Sequence, residues 1–385
     1  MNEHTHDRLP REVRAACASR LQRLRHTFDS DGIEALLVSF DRDIQYLTDF
    51  VGDDTYLLVR ADAADIITDS RYETELEAWK GSGIGEPVMG VRHRLPETIE
   101  SLCRAHRIGR LGIQAEHLTI AAGHSLRTAL CGIQVVETTG LVGGLRIHKD
   151  ALEVSLIERA SRIQEQALRR ALARLHLGMT ENEFFAELAY EMKRLGAMGA
   201  SFDSIIAAGP GSALPHYSAG DVPIEEGVLL IDWGARYRWY CADLTRTFGV
   251  ISMPRAIREV YPIVLEAQLA AIEAIGPGRV CAEIDAVARK VIVDAGHGEH
   301  FTHGLGHGLG NEVHEAPYFN DLQTDVVLTP GMVMTVEPGI YLPGVGGVRI
   351  EDDVLITDDG CRVLSDYPKD LDSAVIEPAD SGALA

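Results

Sequence analysis

The stretch that most constrains this chain is Gly227 to Phe248, GVLLIDWGARYRWYCADLTRTF, which sets two aspartates into an apolar strand, turn and strand. A turn centred on Tyr237 and Arg238 puts Asp232 directly opposite Asp243, and side chains facing each other across such a pair have Cβ atoms roughly 5 Å apart. Val228, Leu229, Leu230 and Ile231 run up to the first aspartate, so the two carboxylates repel each other and lose hydration. That costs several kcal/mol unless a cation lies between them. The pattern asks for a metal ion; on this stretch alone, two unrelated acids at a solvated hairpin tip are the alternative.

Length and composition bound the rest. A chain of 385 residues exceeds the usual single domain, so two domains are expected, either able to bury a core. With 46% hydrophobic and 24% charged residues the balance is that of an ordinary globular protein. A formal charge of −22, from 36 basic against 58 acidic residues, repels nucleic acid and anionic membranes, and neither is expected as a partner. Cys17, Cys103, Cys131, Cys241, Cys281 and Cys361 lack CxxC spacing, which argues against a disulfide framework or a thiolate zinc site and fits a reducing cytoplasm. MNEHTHDRLP has no apolar signal core and no run approaches 18 apolar residues, so neither export nor a membrane span is indicated. The expected localisation is cytoplasmic.

Residues 1–12 and 367–385 are polar and read as loose tails. Residues 13–148 alternate helical and strand patterns: an amphipathic helix at Arg14–Phe28, strands in EALLVS and TYLLVR, and ADIITDSRY leading into a helix near Tyr72. A strand at Pro87–Val91, a helix at Pro96–Arg107, RLGIQ, a helix at Ala121–Leu130 and IQVVET follow. This is a small α/β domain with a mixed sheet, and it carries neither a GxGxxG nor a P-loop. From 149 to 366 the helices lengthen. Asp150 with Glu153 and Thr180 with Glu183 form capping boxes. The plan recurs about a hundred residues later, with helices at Arg255–Ile275 and Ala282–Ala295, each helix pair being followed by strands. The echo predicts an α+β domain of pseudo-twofold symmetry, helices outside and strands inside, with its cleft between the halves.

Three later segments carry more polar groups than a core strand tolerates. In THGLGHGLGNEVHEAPY, His303 and His307 have helical metal-pair spacing, but Gly304, Gly306, Gly308 and Gly310 disfavour a helix. No Glu follows His303, so the H-E-x-x-H reading fails. A glycine-rich backbone that brings one imidazole to a metal while another faces substrate fits better; surface histidines in a flexible loop are the alternative. In VMTVEPGIY, alternation puts Thr335 and Glu337 on one face, and in GGVRIEDDVLI it puts Arg349 and Glu351 on one face. Each glutamate sits in an apolar strand and needs a partner. A simple ion pair answers for either alone; a shared metal centre answers for both. Asp232, Asp243, His307, Glu337 and Glu351 together suit two divalent first-row ions, with manganese or cobalt favoured by the oxygen-rich shell and zinc or iron as alternatives.

IDWGARYRWYCADLTRTF, HGLGHGLG, VHEAP, GMVMTVEPGIY and GVRIEDDVLIT resemble, in order and spacing, the signature blocks of the pita-bread metallopeptidases, specifically the Xaa-Pro peptidases (prolidase and aminopeptidase P). DRDIQYLTDF with ITDSRY is similar to their creatinase/prolidase-type N-terminal domain. The resemblance implies that Asp232, Asp243, His307, Glu337 and Glu351 are dinuclear metal ligands. It matches His216 and His314 to substrate-contacting and transition-state histidines, and His303 to a histidine lining the cleft. It also implies hydrolysis of the Xaa-Pro bond in dipeptides or at peptide N-termini by a hydroxide bridging two metals. Glu337 would shuttle the proton, His314 and His216 would stabilise the oxyanion, and Arg349 would orient Glu351. A homodimer is expected on the same ground. Relatives that hydrolyse other small amides, such as ectoine derivatives or creatine, or act as lyases, share the two domains. A non-catalytic binding module is a further alternative, although such relatives usually lose ligands and none is lost here. The sequence leans slightly towards dipeptidase over aminopeptidase on its compact length.

Overall fold

The computed structural model describes residues 9–379. The chain divides into two compact units, the first ending at Arg146 and the second beginning at Ile147.

The first unit is built on one sheet, from β1 (Ala35–Val38), β2 (Tyr56–Arg60), β3 (Ala64–Thr68), β4 (Glu86–Met89), β5 (Arg110–Gln114) and β6 (Gln134–Thr138), in the order β4-β3-β2-β1-β5-β6. The β1–β2 and β2–β3 pairs are antiparallel and the others parallel, so the sheet is mixed as the alternating pattern predicts. Leu37, Leu58, Ile67 and Leu111 on the strands pack with Ile99 and Cys103 of the helix Leu95–Ala105. One segment departs from the sequence reading. The helix expected near Tyr72 is a pair of 3-10 turns, Ser70–Tyr72 and Glu75–Trp79, the first capped by the Asp69 carboxylate accepting from Arg71 N–H. DRDIQYLT, Asp41–Thr48, to which the sequence reading assigned no element, is helical. Asp41 and Asp43 lie in its first turn, where negative charge favours a helix, and Asp43 is held at depth by Arg146 at 2.8 Å and Gln114 at 2.5 Å.

In the second unit both capping boxes form, starting the helices Ala151–Leu172 and Glu181–Arg194. The second helix pair is Arg255–Ala274 and Cys281–Asp294. The strands are β7 (Gly199–Ala200), β8 (Ile205–Ala208), β9 (Gly227–Trp233), β10 (Ala235–Tyr237), β11 (Tyr240–Cys241), β12 (Leu244–Val250), β13 (Gly306–Gly308), β14 (Glu315–Phe319), β15 (Val333–Val336), β16 (Gly339–Leu342), β17 (Gly346–Arg349), β18 (Asp352–Ile356), β19 (Cys361–Val363) and β20 (Val375–Ile376). One sheet runs β20-β12-β9-β8 and another β14-β13-β15-β18-β19. The first helix pair shares a core with β8, β9 and β12, through residues such as Leu168, Phe184, Leu188, Ile206 and Ile231. The second shares one with β15, β17 and β18, through Val264, Ile284, Met334, Val348 and Val354. Each half thus lays two amphipathic helices on its own sheet, the repeat that the sequence echoes.

The aspartate hairpin differs in register from the sequence reading. Tyr237 pairs with Tyr240, so the turn falls on Arg238 and Trp239, both at positive φ, 45° and 73°. Such a two-residue turn normally advertises itself with Asn-Gly or Asp-Gly; here ordinary residues adopt it. Asp232 therefore faces Thr245, not Asp243. Period-two alternation still puts Asp243, two residues before Thr245, on that same face as its diagonal neighbour.

The ends also differ from the loose tails expected. Residues 1–8 lie outside the described residues, and Arg11 and Glu12 already belong to the helix Arg11–Arg25. Beyond 366, the Tyr367 ring packs on Trp233 and Phe248, Ala374 is buried, and β20 pairs in parallel with β12. The composition of this segment is polar, but its backbone adds to its hold on the fold: Arg246 donates to the carbonyls of Tyr367 and Pro368 at 2.7 and 3.0 Å.

Candidate metal centre

The second unit holds a cavity of about 440 Å³ whose lining includes Asp232, Asp243, His307, Glu337 and Glu351 together with His216, His303, His314 and Arg349. Every residue singled out in the sequence for metal or substrate lines this cavity.

His307 enters it because β13 is threaded tightly between two neighbours. A Cβ on Gly306 would stand 2.1 Å from the Thr335 carbonyl, and one on Gly308 would stand 2.6 Å from that of Ala316. The glycines of HGLGHGLG are what allow the strand to pass. The imidazole Nδ1 lies 3.1 Å from the Gly308 carbonyl, which fixes the proton there and turns Nε2 to the acids, 3.3 Å from Glu337 Oε1 and 3.9 Å from Asp243 Oδ2. A ring nitrogen freed in this way is the usual form of a histidine metal ligand. Both nitrogens of His303 are occupied, by the Gly304 carbonyl at 2.8 Å and the Tyr341 hydroxyl at 2.9 Å, so His303 serves as wall. The His314 ring lies edge-on to that of His307, centroids 4.3 Å apart.

Glu337 follows β15 on the Thr335 face, and the Thr335 hydroxyl donates to it at 3.3 Å while accepting from the His307 N–H at 3.0 Å. Thr245 donates to Glu351 at 2.6 Å. Arg349 differs from expectation: its guanidinium reaches Asp232 at 2.6 Å, Tyr341 Oη at 2.8 Å and Thr245 Oγ1 at 3.1 Å rather than Glu351. Alternation along one strand made Glu351 its neighbour, but β9 brings Asp232 closer. The sequence reading gave no role to Thr245, Thr335, Tyr341 or Asp353, whose carboxylate accepts from the Asp243 N–H at 3.1 Å. For the two threonines the signal was faint, a hydroxyl two residues from an acid on the same strand face.

The electrostatics of the floor call for a cation. Burial pushes Asp243 well above the usual carboxylate range, and Glu351, Asp232 and Asp353 add to it. Burial does the same to Glu351, with Glu337 and Asp232 reinforcing it. Asp232 is raised by burial although Arg349 opposes. Burial also pushes Glu337 up, but the hydrogen bond and charge of His307 outweigh it and hold Glu337 at about 2. Burial lowers His314 and His303. Oδ1 of Asp232 and Oδ1 of Asp243 are buried with no hydrogen-bond partner, and Asp243, His307 and Glu351 offer donor atoms all within 4.8 Å of one another. Acids that cannot all ionise together, orphaned oxygens and one presented imidazole fit a divalent metal.

An α/β unit followed by a two-halved α+β unit, with acids and one imidazole on its cleft floor, is the build of a metal-dependent hydrolase. The chain belongs to metallopeptidase family M24, whose model matches residues 155–358, preceded by a creatinase/prolidase N-terminal domain at 20–148. An uncharacterized peptidase of Bacillus subtilis, YqhT, is 37% identical over 354 residues, 91% of this chain and 99% of its own length. A solved structure described as an Xaa-Pro dipeptidase from Bacillus anthracis superposes with a TM-score of 0.87 at 37% identity, covering 94% of this chain and 99% of that one. An X-Pro aminopeptidase structure from Thermotoga maritima gives 0.84 at 34% identity, covering 91% and 99%. No helix among the described residues is long and apolar enough to cross a membrane.

Proposed function

We propose that this chain hydrolyses the peptide bond between an N-terminal residue and proline, in Xaa-Pro dipeptides or at the N-termini of longer peptides. The observation that carries the reading is the convergence of Asp232, Asp243, His307, Glu337 and Glu351 on one cavity, supported by the names of the related structures. These side chains would hold two divalent ions, manganese first on the oxygen-rich set, with cobalt, zinc or iron as alternatives. When bound, such ions supply Lewis acidity that brings a water towards ionisation at neutral pH and polarises the scissile carbonyl.

The remaining chemistry belongs to the chain. Glu337, ionised at neutral pH beside His307, takes the proton of the attacking water and delivers it to the proline nitrogen as it leaves. His314 and His216 stand on the cavity wall and donate hydrogen bonds to the tetrahedral oxyanion. Arg349, fastened to Asp232 and Tyr341, orients Asp232 rather than touching substrate. A homodimer in the cytoplasm completes the proposal, in keeping with six cysteines that lack CxxC spacing.

The test is hydrolysis of an Xaa-Pro dipeptide against an Xaa-Pro-Xaa tripeptide, with manganese added to chelator-stripped protein. Cleavage of the dipeptide alone assigns a dipeptidase, and cleavage of the tripeptide an aminopeptidase. Metal-loaded protein inactive on both would overturn the reading in favour of another small-amide hydrolase.

A further inference from the structure

His216 stands in the loop between the 3-10 turn Gly209–Ala213 and β9, several residues from any strand. Its side chain is exposed and makes no hydrogen bond among the described residues, so its place in the cleft is set by the loop that carries it. That loop is fastened on both sides. Upstream, buried Ser212 accepts from the Gly347 N–H at 2.9 Å and donates to the Gly209 carbonyl at 2.6 Å, tying the loop to β17. Downstream, the loop is strapped to the start of the helix Glu181–Arg194. Glu181 N–H donates to the Val222 carbonyl and Asn182 N–H to that of Gly220, both at 3.0 Å, and Asn182 Nδ2 donates to Asp221 at 3.1 Å.

At the centre of that strap is the Glu181 carboxylate, fully buried and facing three donors. Oε1 accepts from Ala208 N–H at 2.8 Å; Oε2 accepts from the Tyr217 hydroxyl at 2.9 Å and from Gly220 N–H at 3.0 Å. Ala208 ends β8, while Tyr217 and Gly220 bracket the loop directly after His216. A carboxylate suits the first turn of a helix, but a buried one needs several donors to be tolerated. Here it receives them from two separate chain segments, which it thereby holds in register.

We propose that Glu181 is the positioning residue for His216, fixing the loop 215–220 against β8 so that the imidazole meets the substrate in the cleft. This rests on the role given to His216 above. Glu181 touches no substrate; it acts by pinning the residues that follow His216.

Glu181→Gln is the sharpest probe, because it keeps the shape and inverts one contact. An amide has one accepting oxygen and one donating nitrogen, so in either orientation its NH2 group confronts a backbone N–H, that of Ala208 or that of Gly220. Displacement of a positioned group by about 1 Å lowers turnover on the order of 100-fold. Manganese-loaded E181Q should therefore lose on the order of 10- to 100-fold in kcat on an Xaa-Pro substrate, with metal content unchanged. In a His216→Ala background the same substitution should change kcat by less than about twofold, since the group it positions is gone. An equal loss in both backgrounds would show Glu181 to be only structural and overturn the proposal. Should E181Q not fold, Tyr217→Phe, which removes one donor of the three, carries the same cycle with a smaller expected loss. Wild-type protein that cleaves no Xaa-Pro substrate would sink the proposed function instead, a result separable from the behaviour of the cycle.

Discussion

Glu351 and Asp352 are adjacent in sequence and equally buried, each 1% exposed, yet their surroundings are opposite. On the core side, Asp352 receives Arg246 at 2.8 Å, Gln268 at 2.8 Å, Ser365 at 2.7 Å and Lys369 at 2.5 Å, and although burial pushes its pKa up, Arg246 and Lys369 win and lower it. On the cleft side, the Glu351 carboxylate accepts one hydrogen bond among the described residues, from Thr245, and is driven well above its ordinary value by burial and by Glu337 and Asp232. The strand opposite repeats the division: Thr245 faces Glu351 and Arg246 faces Asp352. A buried acid supplied with its own cations is a structural element. A buried acid left among other acids is waiting for a cation from outside.

The largest effect that sharpens the contrast is on activity. Glu351→Gln, which removes a proposed ligand charge, should lower kcat/KM by at least about 10³-fold, the several kcal/mol that a catalytic ion contributes to the transition state, with a matching fall in bound manganese measured on the purified protein. Full metal content in E351Q would break the assignment of Glu351 to the centre.

Next comes stability, where the order of the two acids reverses. Asp352→Asn leaves Arg246 buried without its counter-ion and should destabilise the metal-free protein by roughly 3 kcal/mol, read as a lower urea midpoint. Glu351→Gln in the same metal-free protein should leave the midpoint unchanged or raise it, because it relieves a cluster that cannot fully ionise. The pH dependence separates the two sides as well. Asp352 has a depressed native pKa, so its contribution is complete above the ordinary Asp value and is lost as pH falls through its native one. Asp243 and Glu351 have raised native values, so metal-free protein loses stability as pH rises past the ordinary carboxylate range. A metal-free protein whose stability does not change with pH on either flank would contradict this division.

What the sequence disclosed follows the range of the forces involved. The capping boxes at Asp150 and Thr180 act over three residues and were legible, as were the acids set into apolar strands, whose burial demands a partner wherever that partner comes from. The hairpin register was not legible, since Arg238 and Trp239 adopt positive φ with no glycine or asparagine to announce it. Nor was the partner of Arg349, because alternation along β17 and beyond says nothing about how near β9 passes. The C-terminal segment was misjudged for a related reason: carbonyls of Tyr367 and Pro368 satisfy Arg246, and backbone acceptors leave no trace in composition. The strap at Glu181 joins a helix start to a loop and a strand, and only the folded chain brings those together.

The smallest expected effect lies where the two faces meet. Thr245 is wholly buried, and its hydroxyl donates to Glu351 while accepting from Arg349 Nε; it is a neutral group joining the proposed ligand to the arginine that holds Asp232. Thr245→Val keeps the shape and removes both bonds. Loss of such an outer partner of a metal ligand lowers metal affinity about 10- to 100-fold, so T245V should need correspondingly more manganese for half-maximal activity while reaching a kcat near wild type at saturation. Lys369, which meets Asp352 at 2.5 Å and Gln268 at 2.9 Å from the core side, gives the control: its contacts concern stability, so Lys369→Met should lower the urea midpoint with little change in manganese affinity. If T245V instead cost stability and left the manganese requirement untouched, the hydroxyl would belong to the core side, and the line drawn between Glu351 and Asp352 would have to move to exclude it from the cleft.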